Sequence, residues 1–196
     1  KPPHILIGGN TGSGKSVLVQ CLLWQAIQQA DVVYVADFKG GVDFSYVWQE
    51  FAYIITEEKK LLVLLNHLAD TLEERKRLFK KVDAANITEY REKSGDYMQR
   101  IVFACDEVAE LLDKTGADKA RKELLAQIEA RLALIARQGR AFGIHLILAT
   151  QRPDANILPG QIKNNMNIRI CGRADTTLST IIIGDGRAAE QISHDA

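Results

Sequence analysis

The 196-residue sequence predicts an α/β fold: a mostly parallel central sheet with helices on both faces. Three observations lead there. Short β-branched runs alternate with long helical patterns, as in βαβ units. Most of the strand candidates are largely apolar runs, which suits a parallel sheet covered by helices on both sides. Composition is that of a soluble globular chain, with 46% hydrophobic and 26% charged residues, which excludes wholesale disorder. One domain over 1–196 accommodates all of it.

The first strand spans His4–Gly8 and leads through a glycine-rich loop into a helix, Lys15–Ala30. Its Val17, Leu18, Cys21, Leu22, Leu23, Ala26 and Ile27 are apolar almost all round, so this helix is expected to be buried. Strands follow at Val32–Asp37 and, more weakly, Ala52–Ile55. Glu57–Lys81 carries Leu61, Leu65, Leu68, Leu72 and Phe79 at heptad-like spacing with charges elsewhere, which predicts an amphipathic surface helix. A strand at Arg100–Cys105 precedes a second amphipathic helix, Asp118–Gln138, with Gly139 as its expected C-cap. Strands at Ile144–Thr150 and Asn167–Gly172 complete the set.

Lys+Arg and Asp+Glu both number 25, and each half of the chain is balanced, so no global field favours a polyanion. The segment 131–173 nevertheless holds Arg131, Arg137, Arg140, Arg152, Lys163, Arg169 and Arg173 against one acid, Asp154. It reads either as a basic stripe or as residues paired with acids from elsewhere. Cys21, Cys105 and Cys171 lie far apart in apolar runs without metal-ligand spacing, which predicts buried free thiols in a reducing compartment. No run approaches the ~20 residues of a membrane span. The chain opens Lys-Pro-Pro, so it is expected to be a piece of a longer protein with further domains or a membrane anchor.

The chemistry concentrates at three strand ends. Gly9-Asn10-Thr11-Gly12-Ser13-Gly14-Lys15-Ser16 fits G-x-x-x-x-G-K-[ST] between a strand and a helix. Backbone N–H groups there can wrap a phosphate, Lys15 can reach the outer phosphates, and Ser16 offers a hydroxyl to Mg2+. Asn10, Thr11, Gly12, Ser13, Gly14, Lys15, Ser16 and Val17 are therefore the expected ATP-binding residues. The strand Ile101-Val102-Phe103-Ala104-Cys105 ends in Asp106-Glu107. Asp106 is the expected Mg2+ ligand and Glu107 the expected acceptor of a proton from water, although such a pair also reads as a helix N-cap with a first-turn acid. The strand Ile147-Leu148-Ala149-Thr150 ends in Gln151, a candidate sensor of the terminal phosphate.

These motifs, together with Gly139-Arg140-Ala141-Phe142-Gly143-Ile144-His145-Leu146-Ile147-Leu148-Ala149-Thr150-Gln151-Arg152-Pro153 and Gly160-Gln161-Ile162-Lys163-Asn164-Asn165, resemble the motor domain of the FtsK/SpoIIIE family. The resemblance implies a RecA-like ATPase domain, Mg2+-ATP on Lys15, Ser16 and Asp106, water activated by Glu107, and phosphate sensed by Gln151. It also implies a hexameric homo-oligomeric ring that moves double-stranded DNA, and an arginine supplied across the subunit interface. Arg140 is the better match for that arginine and Arg75 the second. The inner face of the cell membrane, on the cytoplasmic side, is the implied location.

Two departures qualify the resemblance. DNA-pumping members carry Ser-Ser-Lys-x-Asp-Ser-Arg where this chain has Ala174-Asp175-Thr176-Thr177-Leu178-Ser179-Thr180-Ile181. Both basic residues are missing, which leaves Lys163 and Arg173 as candidate DNA contacts. Asp37-Phe38-Lys39-Gly40-Gly41 looks like mobile-element members and type VII secretion ATPases rather than chromosome pumps. DNA transfer in conjugation, another mobile-element process or chromosome transfer is thus the expected role, with protein cargo or a nucleotide-gated scaffold as alternatives.

Overall fold

The structure, a computed structural model, describes residues 4–39, 43–152 and 158–192. Residues 40–42 and 153–157, which include Gly40, Gly41 and Asp154, lie outside the described residues. In chain order the elements are β1 (Ile5–Gly8), α1 (Lys15–Gln28), β2 (Val32–Ala36), a 3-10 turn (Tyr46–Glu50), β3 (Tyr53–Ile55), α2 (Glu58–Lys81), α3 (Ile87–Ser94), β4 (Ile101–Cys105) and α4 (Val108–Leu112). They continue with α5 (Lys119–Gln138), a second 3-10 turn (Gly139–Phe142), β5 (Ile144–Thr150), α6 (Gly160–Lys163), β6 (Ile168–Cys171), α7 (Thr176–Ile183) and α8 (Arg187–Gln191).

The strands form one sheet in the order β3-β2-β4-β5-β1-β6, with every pairing parallel. Ile5 lies between Ile147 of β5 and Ile168 of β6, and Gly8 is level with Thr150, so the ends of β1 and β5 are flush. Side chains alternate between two layers because the strand period is two. Leu6, Phe103, Leu146 and Leu148 enter the layer shared with α2, α5 and α7, whereas Ile7, Val102, Ala104, Ile147 and Ala149 enter the layer shared with α1.

α1 shares its face of the sheet with Phe44, Ala52 and Trp48 and has no further layer outside it among the described residues, so it has one buried side only. Lys15, Val19, Leu23 and Ala26 are buried, while Val17 is 62% and Trp24 45% exposed. This corrects the expectation of a fully buried helix. It also corrects Cys21, which is an exposed free thiol on the outer face of α1; Cys105 is buried and Cys171 half-buried. The leucine stripe of α2 is buried as expected and packs chiefly on α5. Among the described residues no helix is long and apolar enough to cross a membrane.

α5 begins where its cap residue directs, the Asp118 carboxylate accepting the Arg121 N–H at 2.7 Å. It ends at Gln138 with Gly139 as its C-cap, as expected; Gly139 has right-handed helical backbone and leads directly into the 3-10 turn. Gly139 is small for another reason: a Cβ there would lie 2.8 Å from the Ile144 carbonyl. The reversal comes at Gly143, where φ is +74° and a Cβ would meet Ile87 at 2.4 Å. The short helices α3, α4, α6, α7 and α8 were not legible in the sequence, because one or two turns carry too little periodicity to recognise.

Candidate functional site: a phosphate loop at the carboxyl ends of β1, β4 and β5

Parallel strands direct all their carboxyl ends to one edge, and there the three motifs converge. Between β1 and α1 the chain turns through Gly12 and Gly14, both with φ near +80°, which only glycine adopts without strain. Gly14 caps α1, so Lys15 and Ser16 occupy its first turn with free N–H groups directed outward. The Ser16 hydroxyl lies 3.2 and 3.3 Å from the two Asp106 oxygens and 3.4 Å from Asp43 Oδ2. Asp43 was not foreseen from the sequence; its signal was position, six residues beyond the acidic end of the β2 run.

Lys39 was also missed as a site residue. Its ammonium donates to Asp106 Oδ2 at 2.7 Å, and its N–H to Asp37 Oδ1 at 2.9 Å. Burial alone would raise the Asp106 carboxyl, but the Lys39 hydrogen bond and the charges of Lys15 and Lys39 outweigh it and hold the group below its ordinary value. Lys39 itself loses protonation to burial but regains more from Asp106, Glu107 and Asp43, so it stays charged. Asp106 therefore remains an anion among cations.

Glu107 is oriented from β5. The Thr150 hydroxyl donates to Oε1 at 2.7 Å and the Gln151 N–H to Oε2 at 2.9 Å. The Gln151 side-chain oxygen accepts from the Thr11 hydroxyl at 3.0 Å, which ties the third strand end to the phosphate loop. A cleft of about 310 Å³ is lined by Asn10, Thr11, Gly12, Gly14, Lys15, Ser16, Val17, Lys39, Asp43 and Gln151. It opens into a second of about 580 Å³, lined by Asn10, Thr11, Gln151 and Arg173.

The donor set fits a hydrated divalent cation. Ser16, Asp106 and Asp43 supply hard oxygens at one point, and Mg2+ bound with substrate phosphates needs only one or two carboxylates. Among the described residues no cluster of three His, Cys, Asp or Glu side chains forms a self-sufficient metal cage.

The candidate arginines separate. Arg140 is exposed on the turn before β5 and reaches Asn167 Oδ1 at 3.5 Å. Six residues of β5 lie between Ile144 and the level of the phosphate loop, about 20 Å at 3.3 Å per residue, so Arg140 cannot serve its own loop. Arg75 is buried in the stripe of α2. Its guanidinium donates to the carbonyls of Phe142 at 2.7 Å, Gln99 at 2.8 Å and Gly143 at 3.4 Å, and burial, then Arg91, lowers its pKa to about 10. A side chain held on three internal carbonyls is not available to a neighbouring subunit. The signal was present: Leu61, Leu65, Leu68, Leu72, Arg75 and Phe79 form one unbroken 4-3 stripe, and Arg75 occupies a core position of it.

The basic segment is likewise no single stripe. Arg152 pairs with Asp113 at 3.1 Å, and Arg169 donates to the Lys163 carbonyl at 2.9 Å near the amino end of β6. Lys163 is half-buried on α6, whereas Arg173 lies past the other end of β6, against the phosphate loop, with Nη2 3.5 Å from the Thr11 carbonyl. The fold does not bring these two candidate DNA contacts together. The run after Arg173 enters α7, capped by Asp175.

A profile of the FtsK/SpoIIIE family matches residues 1–135. The chain is similar to DNA translocase FtsK of Campylobacter jejuni strain 81-176, with 32% identity over 204 residues covering 98% of this chain and 20% of the relative. It is similar to DNA translocase FtsK of Helicobacter pylori strain J99, with 31% identity over 205 residues covering 98% and 23%. The chain thus spans about a fifth of the length of these relatives. Among solved structures, the pCW3 conjugation coupling protein TcpA, in monomer form with ATPγS, superposes with a TM-score of 0.91 and 44% identity over 96% of this chain and 54% of that one. The cytoplasmic domain of the Thermomonospora curvata type VII secretion ATPase EccC superposes with a TM-score of 0.71 and 27% identity over 96% of this chain and 22% of that one. The fold is that of RecA-like P-loop ATPases, and on the matched residues the chain belongs to the FtsK/SpoIIIE family.

Proposed function

We propose that this chain is the ATP-hydrolysing motor domain of a DNA-moving ring, acting in conjugative transfer. The carrying observation is the convergence of Lys15, Ser16, Asp106, Glu107 and Gln151 at one sheet edge, in a chain 44% identical to a conjugation coupling protein over 96% of its length. Lys15 and the loop N–H groups bind the phosphates of ATP. Ser16, Asp106 and Asp43 hold Mg2+, which when bound offsets phosphate charge. Glu107, fixed by Thr150 and the Gln151 N–H, accepts the proton of the attacking water, and the Gln151 side chain orients that water. Arg140 of one copy completes the site of the next, so turnover requires a homo-oligomer, of which a hexameric ring is the form proposed. Further domains and a membrane anchor at the cytoplasmic face belong to the longer protein.

The test is ATP turnover of the chain at assembling concentrations, without nucleic acid, with single-stranded DNA and with linear duplex, at one fixed low salt. Stimulation by duplex is expected. Turnover from an assembled ring that neither DNA changes would favour protein cargo, the reading supported by the Asp37-Phe38-Lys39 run and the absent basic pair after β6.

A further inference from the structure

The backbone beyond β6 is built into the phosphate loop. The Gly172 N–H donates to the Gly8 carbonyl at 2.9 Å and the Asn10 N–H to the Arg173 carbonyl at 2.8 Å, so the β1–β6 ladder continues past the end of both strands. A Cβ on Gly172 would come within 3.3 Å of Ser13. Arg173 is thereby fixed at its backbone, and its side chain folds across the loop apex. Its Nη2 lies 3.5 Å from the Thr11 carbonyl and 3.6 Å from where a Cβ of Gly12 would stand. Arg173 and Gln151 share the larger cleft with Asn10 and Thr11, while Lys15 and Ser16 line the adjoining one.

We propose that Arg173 is a nucleotide contact supplied in cis, whose guanidinium bonds the terminal phosphate of a bound nucleoside triphosphate beside Gln151. The inference rests on the ATPase reading above and deepens it. Loop N–H groups serve the phosphates nearer the loop floor, and Lys15 reaches the outer ones from the loop side. Gln151 marks the side on which the terminal phosphate and its attacking water sit. A guanidinium on that side offers a planar fork that matches phosphate oxygens two at a time. Its 3.5 Å contact with the Thr11 carbonyl is at the long limit for a hydrogen bond, and an anionic phosphate adds opposite charge and a second oxygen for the guanidinium fork. Arg173 then distinguishes triphosphate from diphosphate, and its place is the nucleotide rather than the duplex.

The experiment compares the parent chain with Arg173→Ala and Arg173→Lys, measuring affinity for fluorescent ATPγS and ADP analogues in Mg2+, duplex DNA binding, and folding by thermal melting. The expected result for Arg173→Ala is a loss of about tenfold or more for the triphosphate, within about twofold for the diphosphate, with an unchanged melt and partial recovery in Arg173→Lys. Equal loss for both nucleotides would make Arg173 a support of the loop and overturn the proposal. Parent-like affinity for both, with DNA binding reduced, would return Arg173 to a DNA surface and also overturn it. A parent chain that binds neither nucleotide would instead overturn the ATPase reading itself.

Discussion

Arg75 donates to three backbone carbonyls from the buried stripe of α2, and Arg75→Ala strands all three. Removing one partner of such a network costs about 3 kcal/mol, so the melting temperature should fall by roughly 6–12 °C. Arg140→Ala, on an exposed turn, should leave the melt within about 1–2 °C of the parent, as surface changes do, while abolishing turnover. A stable, inactive Arg75→Ala would reverse this division. Glu107→Gln is expected to keep ATP binding and lose about a hundredfold or more in turnover. The fold tolerates it because the Thr150 hydroxyl can rotate to accept from the new amide while the amide oxygen still receives the Gln151 N–H. Lys15, Ser16, Asp106 and Glu107 were legible as residues because their chemistry demands fixed types at fixed spacing. Lys39, Asp43 and Thr150 were not, since nothing in their local sequence shows what they will face.

At the scale of elements, two buried histidines stand where β1 begins against β5. The Leu146 N–H donates to His4 Nδ1 at 2.9 Å, and the rings of His4 and His145 stand 6.2 Å apart. Burial, then Arg140, lowers His4 to about 4; burial, then His4 and Arg100, lowers His145 to about 3. Both are neutral when folded and take a proton more readily when unfolded, near 6.5. The stability this contributes is complete above that value and drains as pH falls toward 4 and 3. Between pH 7 and 5 the loss is on the order of 2 kcal/mol per histidine. A melt at pH 5 well below that at pH 7, with the difference reduced in His145→Leu, is the expected outcome. The long helices were legible because several turns of pattern average out exceptions. The C-terminal boundary of α5 was legible too, with Gly139 at its C-cap, but the approach of Ile144, a tertiary contact that the local sequence does not show, is what requires a glycine there.

For the whole molecule, all-parallel pairing places the phosphate loop at one edge of the sheet and Arg140 at the other. Only another copy can unite them. Turnover should therefore rise faster than linearly with protein concentration. Mixing inactive Arg140→Ala with inactive Glu107→Gln should restore activity, since some interfaces then pair an intact base with an intact arginine. Linear concentration dependence, or no recovery in demonstrably mixed assemblies, would remove the trans role.

The sequence by itself determined the α/β class, the main strands and the phosphate-binding chemistry, because apolar periodicity and a loop that must wrap an anion are local constraints on residue type. Tertiary structure alone decided which charges meet. It placed Lys39 beside Asp106 and Asp43 beside Ser16, turned Arg75 into a buried clamp, left α1 half-exposed, and laid Arg173 over the loop. Those outcomes depend on strand order and register. Pairing β1 between β5 and β6 brings residues some 140 to 160 positions apart within hydrogen-bonding distance, and no local pattern encodes such a distance.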